Sequence, residues 1–238
     1  AALPLVSVTS LQVFEQHKVK AGQHVLVIGA SGGVGHIATQ IASSMGCKVT
    51  AVCSEKNRQF VKDCGAYAAL AYNSGSVSIW ESLADHVDST ESFGFVLDTV
   101  SSADSRDRRM GYIDHILGAS PPLLKIGYGD QAEVGVDPHN YVVLGGAWNH
   151  WLTALIKRLT PINLFPKGFE LFWINMPGST SRLAQIQKFC DQQSLRPEVM
   201  RVLPFNQAGV EEAFKTLHPP KGQHRAANGK VVVELVAD

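Results

Sequence analysis

The stretch VLVIGASGGVGHIATQIA, residues 25–42, decides the fold of this chain. It begins as an apolar run, turns through glycines at 29, 32, 33 and 35, and continues with apolar residues at helical spacing. A strand, a glycine-rich turn and a helix in this order place unpaired N–H groups and the positive end of a helix dipole at the turn. Such a turn is typical of sites that hold a dinucleotide pyrophosphate.

The sequence on either side continues the same alternation. Further apolar runs occupy residues 48–53, 67–71, 93–100 and 141–144, and segments with helical patterns stand between several of them. Continuous apolar runs joined by helical connections indicate strands of a parallel sheet that are buried on both faces. We therefore predict an α/β fold, a doubly wound and mostly parallel sheet of the Rossmann type with helices on both faces.

The later part of the chain contains an interruption and then further elements. Residues 118–139 are rich in Gly and Pro and are predicted to form a surface insertion. Beyond it the patterns predict strands and helices in turn. These are strands at 169–175, 198–203 and 230–236, and helices at 181–192 and 207–217.

Composition excludes several classes of protein. The chain has 238 residues, 45% of them hydrophobic, with 21 Lys+Arg against 21 Asp+Glu, so neither disorder nor charge-driven binding to nucleic acid is expected. No run approaches the roughly 18 apolar residues that a membrane span needs. The four cysteines form no CxxC pair, which favours reduced thiols in an intracellular protein, either cytoplasmic or mitochondrial.

Three other interpretations of the glycine turn fail on its context. A P-loop requires GK[ST], whereas Gly35 is followed by His36 and Ile37. The match to the hydrolase nucleophile elbow, GxSxG, comes after only 28 residues, too early for the strands and oxyanion loop that precede such an elbow. The match to the short-chain dehydrogenase turn lacks its YxxxK pair, because none of the five tyrosines has Lys four residues on.

The end of the second strand bears on the choice of nucleotide. NAD-selective turns place Asp or Glu there to hold the ribose hydroxyls. Here the strand is followed by Ser54, and Lys56 and Arg58 come shortly after it, which suits a 2′-phosphate. Glu55 among them opposes this interpretation, and the charged residues could instead form only a solvated helix start. We predict NADP(H) as the cofactor.

Several separated motifs together resemble a known family. The stretches KAGQHVLVIGASGGVGHIATQIA, VTAVCSEKN, FGFVLDTV and GKVVVELV occur in the order typical of the medium-chain dehydrogenase/reductase superfamily. They are most similar to its zinc-free quinone-oxidoreductase branch and, within it, to the mitochondrial reticulon-interacting subgroup. The resemblance implies hydride transfer from NADPH to a quinone, enone or enal. The alternative from another class is an NADPH-binding interaction or scaffold module with little or no activity.

The resemblance also implies which residues contact the cofactor. The glycine turn would meet the pyrophosphate, the ends of the second and third strands the adenosine phosphate, and later loops the nicotinamide side. With the two cations beyond Ser54, the expected set is Thr9, Ser31, Gly32, Gly33, Val34, Ser54, Lys56, Arg58, Tyr72, Val100, Gly145 and Gly146. No catalytic residue can be named. Catalytic zinc is not expected, because Leu5 stands where zinc-dependent relatives have a ligand cysteine.

The same resemblance suggests how the chain is organised. Residues 1–22 would form the helix that connects to a GroES-like catalytic domain, which this sequence lacks. Residues 23–217 would form the dinucleotide-binding domain, and residues 218–238 a loop and strand that return to the missing domain. The apolar strand at 169–175 is expected to pair two subunits into a homodimer.

Two polar residues near the turn are expected to have structural roles. His36 begins a helix and is expected to be solvated or to cap it rather than to act as an acid. Asp98, late in a buried strand, is expected to hydrogen-bond neighbouring backbone.

Overall fold

The main sheet of the protein is parallel. The computed structural model describes residues 2–72, 93–100, 141–143, 170–171, 179–217 and 229–235. Its strands lie in the order β3-β2-β1-β4-β5-β6, and every neighbouring pair is parallel. They are β1 His24–Ile28, β2 Lys48–Cys53, β3 Ala68–Ala71, β4 Phe95–Asp98, β5 Tyr141–Val143 and β6 Glu170–Leu171. The predicted Rossmann-type α/β fold is confirmed.

The two central strands owe their position to their sequences. Every residue of β1 (HVLVI) and of β4 (FVLD) is buried, as expected of strands covered on both faces. The chain order of the strands reverses between β1 and β4, which creates a crevice at their carboxyl ends. The glycine-rich turn follows β1 and therefore lies at this crevice.

Helices pack against the sheet and against one another. They are α1 Pro4–Gln16, α2 Gly35–Ser44, α3 Arg58–Asp63, α4 Ser179–Asp191 and α5 Gln207–Leu217, with a 3-10 helix at Glu55–Asn57. The apolar positions of α2 meet the core, and α1 packs against both α2 and α4. The Phe14 ring of α1 meets the edge of Phe95 on β4, with ring centroids 5.9 Å apart. The first predicted helix is thus an integral part of the core.

A second, smaller sheet lies near the end of the chain. It consists of β7 Val199–Pro204 and β8 Lys230–Glu234, which pair in parallel, and α5 packs against both strands. The strand expected to return to another domain therefore pairs within this chain. The domain boundaries proposed from the sequence stay predictions, and the predicted insertion at 118–139 lies outside the described residues.

Within the described ranges, no helix combines the length and the apolar character that crossing a bilayer requires.

Candidate functional site

The glycine-rich turn is fixed by contacts to neighbouring strands. Gly29 leaves β1 with φ +78°, a left-handed conformation that favours glycine. Its N–H and that of Ala30 both donate to the Val52 carbonyl at the end of β2, each at 3.0 Å. A Cβ at Gly29 would collide with the side chains of Thr99 and Val100 after β4. The turn can therefore run close to β4 only with glycine at position 29.

Beyond Gly29 the turn presents backbone donors. Gly32 N–H donates to the Gly29 carbonyl at 3.0 Å, whereas the N–H groups of Ser31, Gly33 and Val34 have no acceptor among the described residues. These three residues are half-buried and stand directly before α2, a helix of 10 residues. Unpaired amides at the positive end of a helix dipole attract an anion. The turn fits the pyrophosphate of a dinucleotide.

Lys230, at the start of β8, adds a positive charge beside this turn. Its Cδ and Nζ lie 3.0 Å and 3.6 Å from the position that a Cβ on Gly33 would take. Gly229 N–H donates to the Ser31 carbonyl at 3.0 Å, which ties the strand to the turn. Burial lowers the pKa of the Lys230 ammonium. Sequence reasoning treated Lys230 only as the first residue of a strand, and the GK pair before the apolar run is the signal that could have drawn attention to it.

A second contribution missed by sequence reasoning is Asn57. The residue is buried, and its Nδ2 donates to Ser31 Oγ at 3.0 Å, which joins the 3-10 helix after β2 to the glycine turn. Its N–H donates to the Ser54 carbonyl at 2.9 Å. The Asn57 Oδ1 atom is buried and has no hydrogen-bond partner in the part of the chain that the structure describes. This side chain therefore holds Ser31 and keeps one acceptor unused near the crevice.

The residues predicted to meet the adenosine phosphate lie at the ends of β2 and β3. Tyr72 N–H donates to the Cys53 carbonyl at 3.0 Å, so Tyr72 stands beside Ser54. Lys56 is exposed on the 3-10 helix. Arg58 is partly committed elsewhere: its Nε donates to the Ala69 carbonyl at 3.2 Å, and its Nη1 pairs with Glu55 at 3.3 Å. Of the two predicted cations, Lys56 has the freer charged group for a 2′-phosphate.

The residues predicted to contact the nicotinamide side of the cofactor do not all lie at the glycine turn. Val100 follows β4, and its side chain borders Gly29 at the crevice. Thr9 is buried in α1, where its hydroxyl donates to the Leu5 carbonyl at 2.7 Å. Gly145 and Gly146 lie outside the described residues. The structure therefore joins Val100, but not the Thr9 hydroxyl, to the glycine turn.

The structure bears differently on the expectations for Asp98 and for His36. Asp98 is buried and its Oδ1 accepts the Val100 N–H at 2.9 Å, which confirms the expected backbone role. The expectation of a solvated His36 is wrong, because the side chain is fully buried. Its ring nitrogens bind the Gly32 carbonyl at 2.7 Å and the Glu198 N–H at 3.2 Å. Glu198 is 162 positions away in sequence, so local pattern gives no indication of this burial.

Over the described ranges, no three or more His, Cys, Asp or Glu side chains form a group that could hold a metal ion. The absence of catalytic zinc stays a prediction.

Comparison with known proteins identifies related sequences. A family model described as zinc-binding dehydrogenase matches residues 33–115. The mitochondrial NAD(P)H oxidoreductase RTN4IP1 of Homo sapiens is 29% identical over 243 residues, which cover 99% of this chain and 55% of that protein. The chloroplast envelope quinone oxidoreductase homolog of Arabidopsis thaliana is 41% identical over 81 residues, covering 30% of this chain and 24% of the relative. The chain spans about half the length of the relatives that it matches throughout.

Solved structures share the fold. The quinone oxidoreductase of Coxiella burnetii superimposes with a TM-score of 0.63 at 21% identity, covering 99% of this chain and 60% of that one. The quinone oxidoreductase of Thermus thermophilus, solved also in complex with NADPH, gives a TM-score of 0.60 at 21% identity, covering 98% of this chain and 64% of that one.

Proposed function

We propose that this chain is a nucleotide-binding part of a quinone oxidoreductase of the medium-chain dehydrogenase/reductase superfamily, and that it binds a nicotinamide dinucleotide at the glycine turn. The observation that carries this proposal is the set of N–H groups at Ser31, Gly33 and Val34, which have no acceptor among the described residues and lie beside the Lys230 ammonium. Backbone donors and one cation suit the two negative charges of a pyrophosphate. The relationship to NAD(P)H oxidoreductases gives independent support.

Each residue of the turn has a distinct part in this binding. The backbone of residues 31–34 would hold the pyrophosphate, and Asn57 would fix the Ser31 side chain through its hydrogen bond to Ser31 Oγ. Val100 packs at Gly29 and would border the nicotinamide side of the crevice. When bound, a reduced nicotinamide would supply a hydride. The chain's own contribution is to position the dinucleotide, and no described residue is proposed as the proton donor.

We propose NADP(H) rather than NAD(H). The support is the presence of Ser54, rather than an acidic residue, after β2, together with the exposed ammonium of Lys56. A 2′-phosphate can accept hydrogen bonds from a hydroxyl and an ammonium, whereas ribose hydroxyls are usually held by a carboxylate. Glu55 is turned toward Arg58 by their ion pair, which reduces its repulsion of a phosphate.

Calorimetric titration of the full chain with NADPH and NADH tests both proposals. We expect NADPH to bind more tightly than NADH. The substitution Lys56→Ala should weaken NADPH binding by about fivefold, the value of one exposed charge pair, and leave NADH binding unchanged. Lys62→Ala, which removes an exposed ammonium farther along α3, is the matched control and should change neither. Failure to bind either nucleotide would refute the proposed function.

The proposed activity is hydride transfer to a quinone, enone or enal. This proposal rests on the similarity of the chain to relatives that include a quinone oxidoreductase homolog. Steady-state oxidation of NADPH across a panel of quinones and enones tests it. Measurable turnover would establish the activity, and its absence with tight NADPH binding would favour a module that binds cofactor without catalysis.

A second candidate function is an NADPH-binding interaction module. Several large apolar side chains of the unit formed by β7, α5 and β8 are exposed, which suits contact with a further protein surface. They include Phe205 and Phe214, both 63% exposed, and Leu235, 75% exposed. Substituting Phe214 with Ser should leave turnover unchanged if the chain acts only as an enzyme.

We also propose a homodimer that pairs through residues 169–175, because β6 lies at one edge of the main sheet. The compartment proposed is mitochondrial, on the strength of the mitochondrial relatives.

A further inference from the structure

One face of α2 holds the segment that leads into β7. Gln40 pairs with Arg196 twice: its Nε2 donates to the Arg196 carbonyl at 2.9 Å, and its Oε1 accepts the Arg196 N–H at 2.7 Å. One turn earlier, His36 Nε2 accepts the Glu198 N–H at 3.2 Å. Residues four apart lie on the same helix face, so the two side chains act together on this segment. Its position relative to the glycine turn is thereby fixed.

The partners of His36 determine its protonation. A carbonyl oxygen can only accept, so Nδ1 must carry the proton that it donates to the Gly32 carbonyl at 2.7 Å. A backbone N–H can only donate, so Nε2 must be unprotonated to receive Glu198. Both contacts together require the neutral ring. Protonation at Nε2 would set two donors against each other and break the contact to Glu198.

The contact continues from Glu198 to the cofactor turn. The Glu198 carbonyl accepts the Lys230 N–H at 2.9 Å, and the neighbouring Gly229 N–H donates to the Ser31 carbonyl at 3.0 Å. The side chain of Lys230 then lies over Gly33. A continuous set of hydrogen bonds thus leads from His36 to the residue whose ammonium lies beside the pyrophosphate turn.

We propose that neutral His36 is a positioning residue for the cofactor, because its bond to Glu198 holds the Lys230 ammonium against the glycine turn. The inference rests on the proposed function, since it assumes that a pyrophosphate binds there. Dinucleotide affinity should therefore depend on the protonation of a histidine that does not itself touch the ligand.

The surroundings of His36 favour the neutral ring at ordinary pH. Burial lowers its pKa below the usual 6.5, while the hydrogen bond to Gly32 opposes that shift. The charged side chains acting on it are Lys230 of β8, which lowers the pKa, and Glu198 before β7, which raises it. From α3 it meets the uncharged ring of Phe60, 6.0 Å away between centroids.

The test uses ADP-ribose, whose phosphates do not titrate between pH 5 and 8. Calorimetry on the full wild-type chain should show binding that is constant near pH 8 and weakens as the pH falls through the lowered pKa of His36, which lies below 6.5. His36→Gln offers an acceptor to the Glu198 N–H and does not titrate in this range. Its affinity for ADP-ribose should therefore equal that of the wild type at pH 8 and stay constant from pH 8 to pH 5. His36→Asn can donate to Gly32 but is too short to reach Glu198, and should bind about tenfold more weakly at every pH.

Two further variants separate positioning from general damage. Thr39→Val alters another buried residue of α2, whose hydroxyl donates to the Gly35 carbonyl of the same helix, and should keep the wild-type pH profile. In a Lys230→Gln background, His36→Asn should cause little additional loss, because the group that His36 positions is already gone. Circular dichroism of each variant confirms that it is folded.

The outcomes distinguish this inference from the function on which it rests. The inference would be overturned, and the function left standing, if wild-type affinity for ADP-ribose did not change from pH 8 to pH 5. The same holds if His36→Asn caused an equal loss of affinity in the wild type and in the Lys230→Gln background. A wild-type chain that binds no ADP-ribose at any pH would overturn both.

Discussion

At the scale of single residues, Gly29 illustrates how one backbone conformation sets the whole site. Gly29 and Gly22 have nearly the same left-handed φ, +78° and +82°, but of these two only Gly29 is crowded. Gly22→Ala should cost about 1 kcal/mol for the strained backbone alone. Gly29→Ala should cost at least about 2 kcal/mol more, because the methyl group also collides with Thr99 and Val100. Urea unfolding of both variants measures the difference, and equal losses would contradict it.

The buried His36 should also make stability depend on pH. Its pKa is lowered by burial, so the unfolded chain binds a proton more readily than the folded chain. Stability from this residue is therefore fully present above pH 6.5 and is lost as the pH falls toward the lower pKa of the folded state, by at most about 1.4 kcal/mol per pH unit. The difference in unfolding free energy between the wild type and His36→Gln should narrow from pH 8 to pH 5. If the unfolding free energies of the two proteins changed in parallel with pH, the lowered pKa of His36 would be contradicted.

Two cysteines should be unreactive in the folded chain. Burial is the main cause that raises the pKa of Cys53 to about 11 and that of Cys64 to about 12, against an ordinary value of 9.0. At pH 8 their thiolate fractions fall by about a hundredfold or more, and alkylation by iodoacetamide should slow accordingly. Mass spectrometry after timed labelling measures each site. Unfolding in urea is the control and should bring both thiols to the rate of a free peptide.

These residues also show where sequence reasoning ends. Asp98 could be interpreted correctly because its partner, the Val100 N–H, is two residues away. The roles of Asn57 and Lys230 depend on contacts with Ser31 and Gly33 that only the folded chain brings about. The glycine turn and the end of β2 were predictable from spacing, whereas the side chains that cross between elements were not.

At the scale of elements, the link between α2 and the segment before β7 should contribute to stability. Gln40→Ala removes the partner of both Arg196 backbone groups and leaves this partly buried N–H and carbonyl without their hydrogen bonds to Gln40. We expect a loss of about 1–2 kcal/mol in the free energy of unfolding. Gln59→Ala, which removes only an exposed bond to Asp63 within α3, should change stability by less than about 0.5 kcal/mol. Thermal unfolding compares the stabilities of the two variants. Equal losses would show that the hydrogen bonds between Gln40 and Arg196 do not contribute to stability.

The strands themselves were predictable because they are short, apolar and regularly spaced. The pattern placed β1, β2 and β4 close to their observed positions, since strands buried on both faces must be apolar throughout. The pairing of β8 with β7 could not be predicted. No residue of either strand is fully buried, so their sequences do not indicate which strand each one pairs with.

At the scale of the whole molecule, the order of the described strands leaves β6 at one end of the main sheet. Residues 169–175, FELFWIN, are apolar around that strand, and an unprotected apolar edge favours pairing with a second copy about a two-fold axis. Light scattering should therefore give a mass of about twice the 25.7 kDa of one chain. A mass of one chain at every concentration would contradict the dimer.

A charge placed in that apolar stretch should separate the subunits. Trp173→Lys should reduce the measured mass to that of a single chain, because an ammonium cannot be desolvated cheaply between two paired edges. Leu183→Lys places the same charge on α4, where the side chain it replaces is already 40% exposed, and should leave the dimer intact. Dissociation by both variants would indicate a general loss of fold, whereas dissociation by Leu183→Lys alone would move the subunit contact to α4.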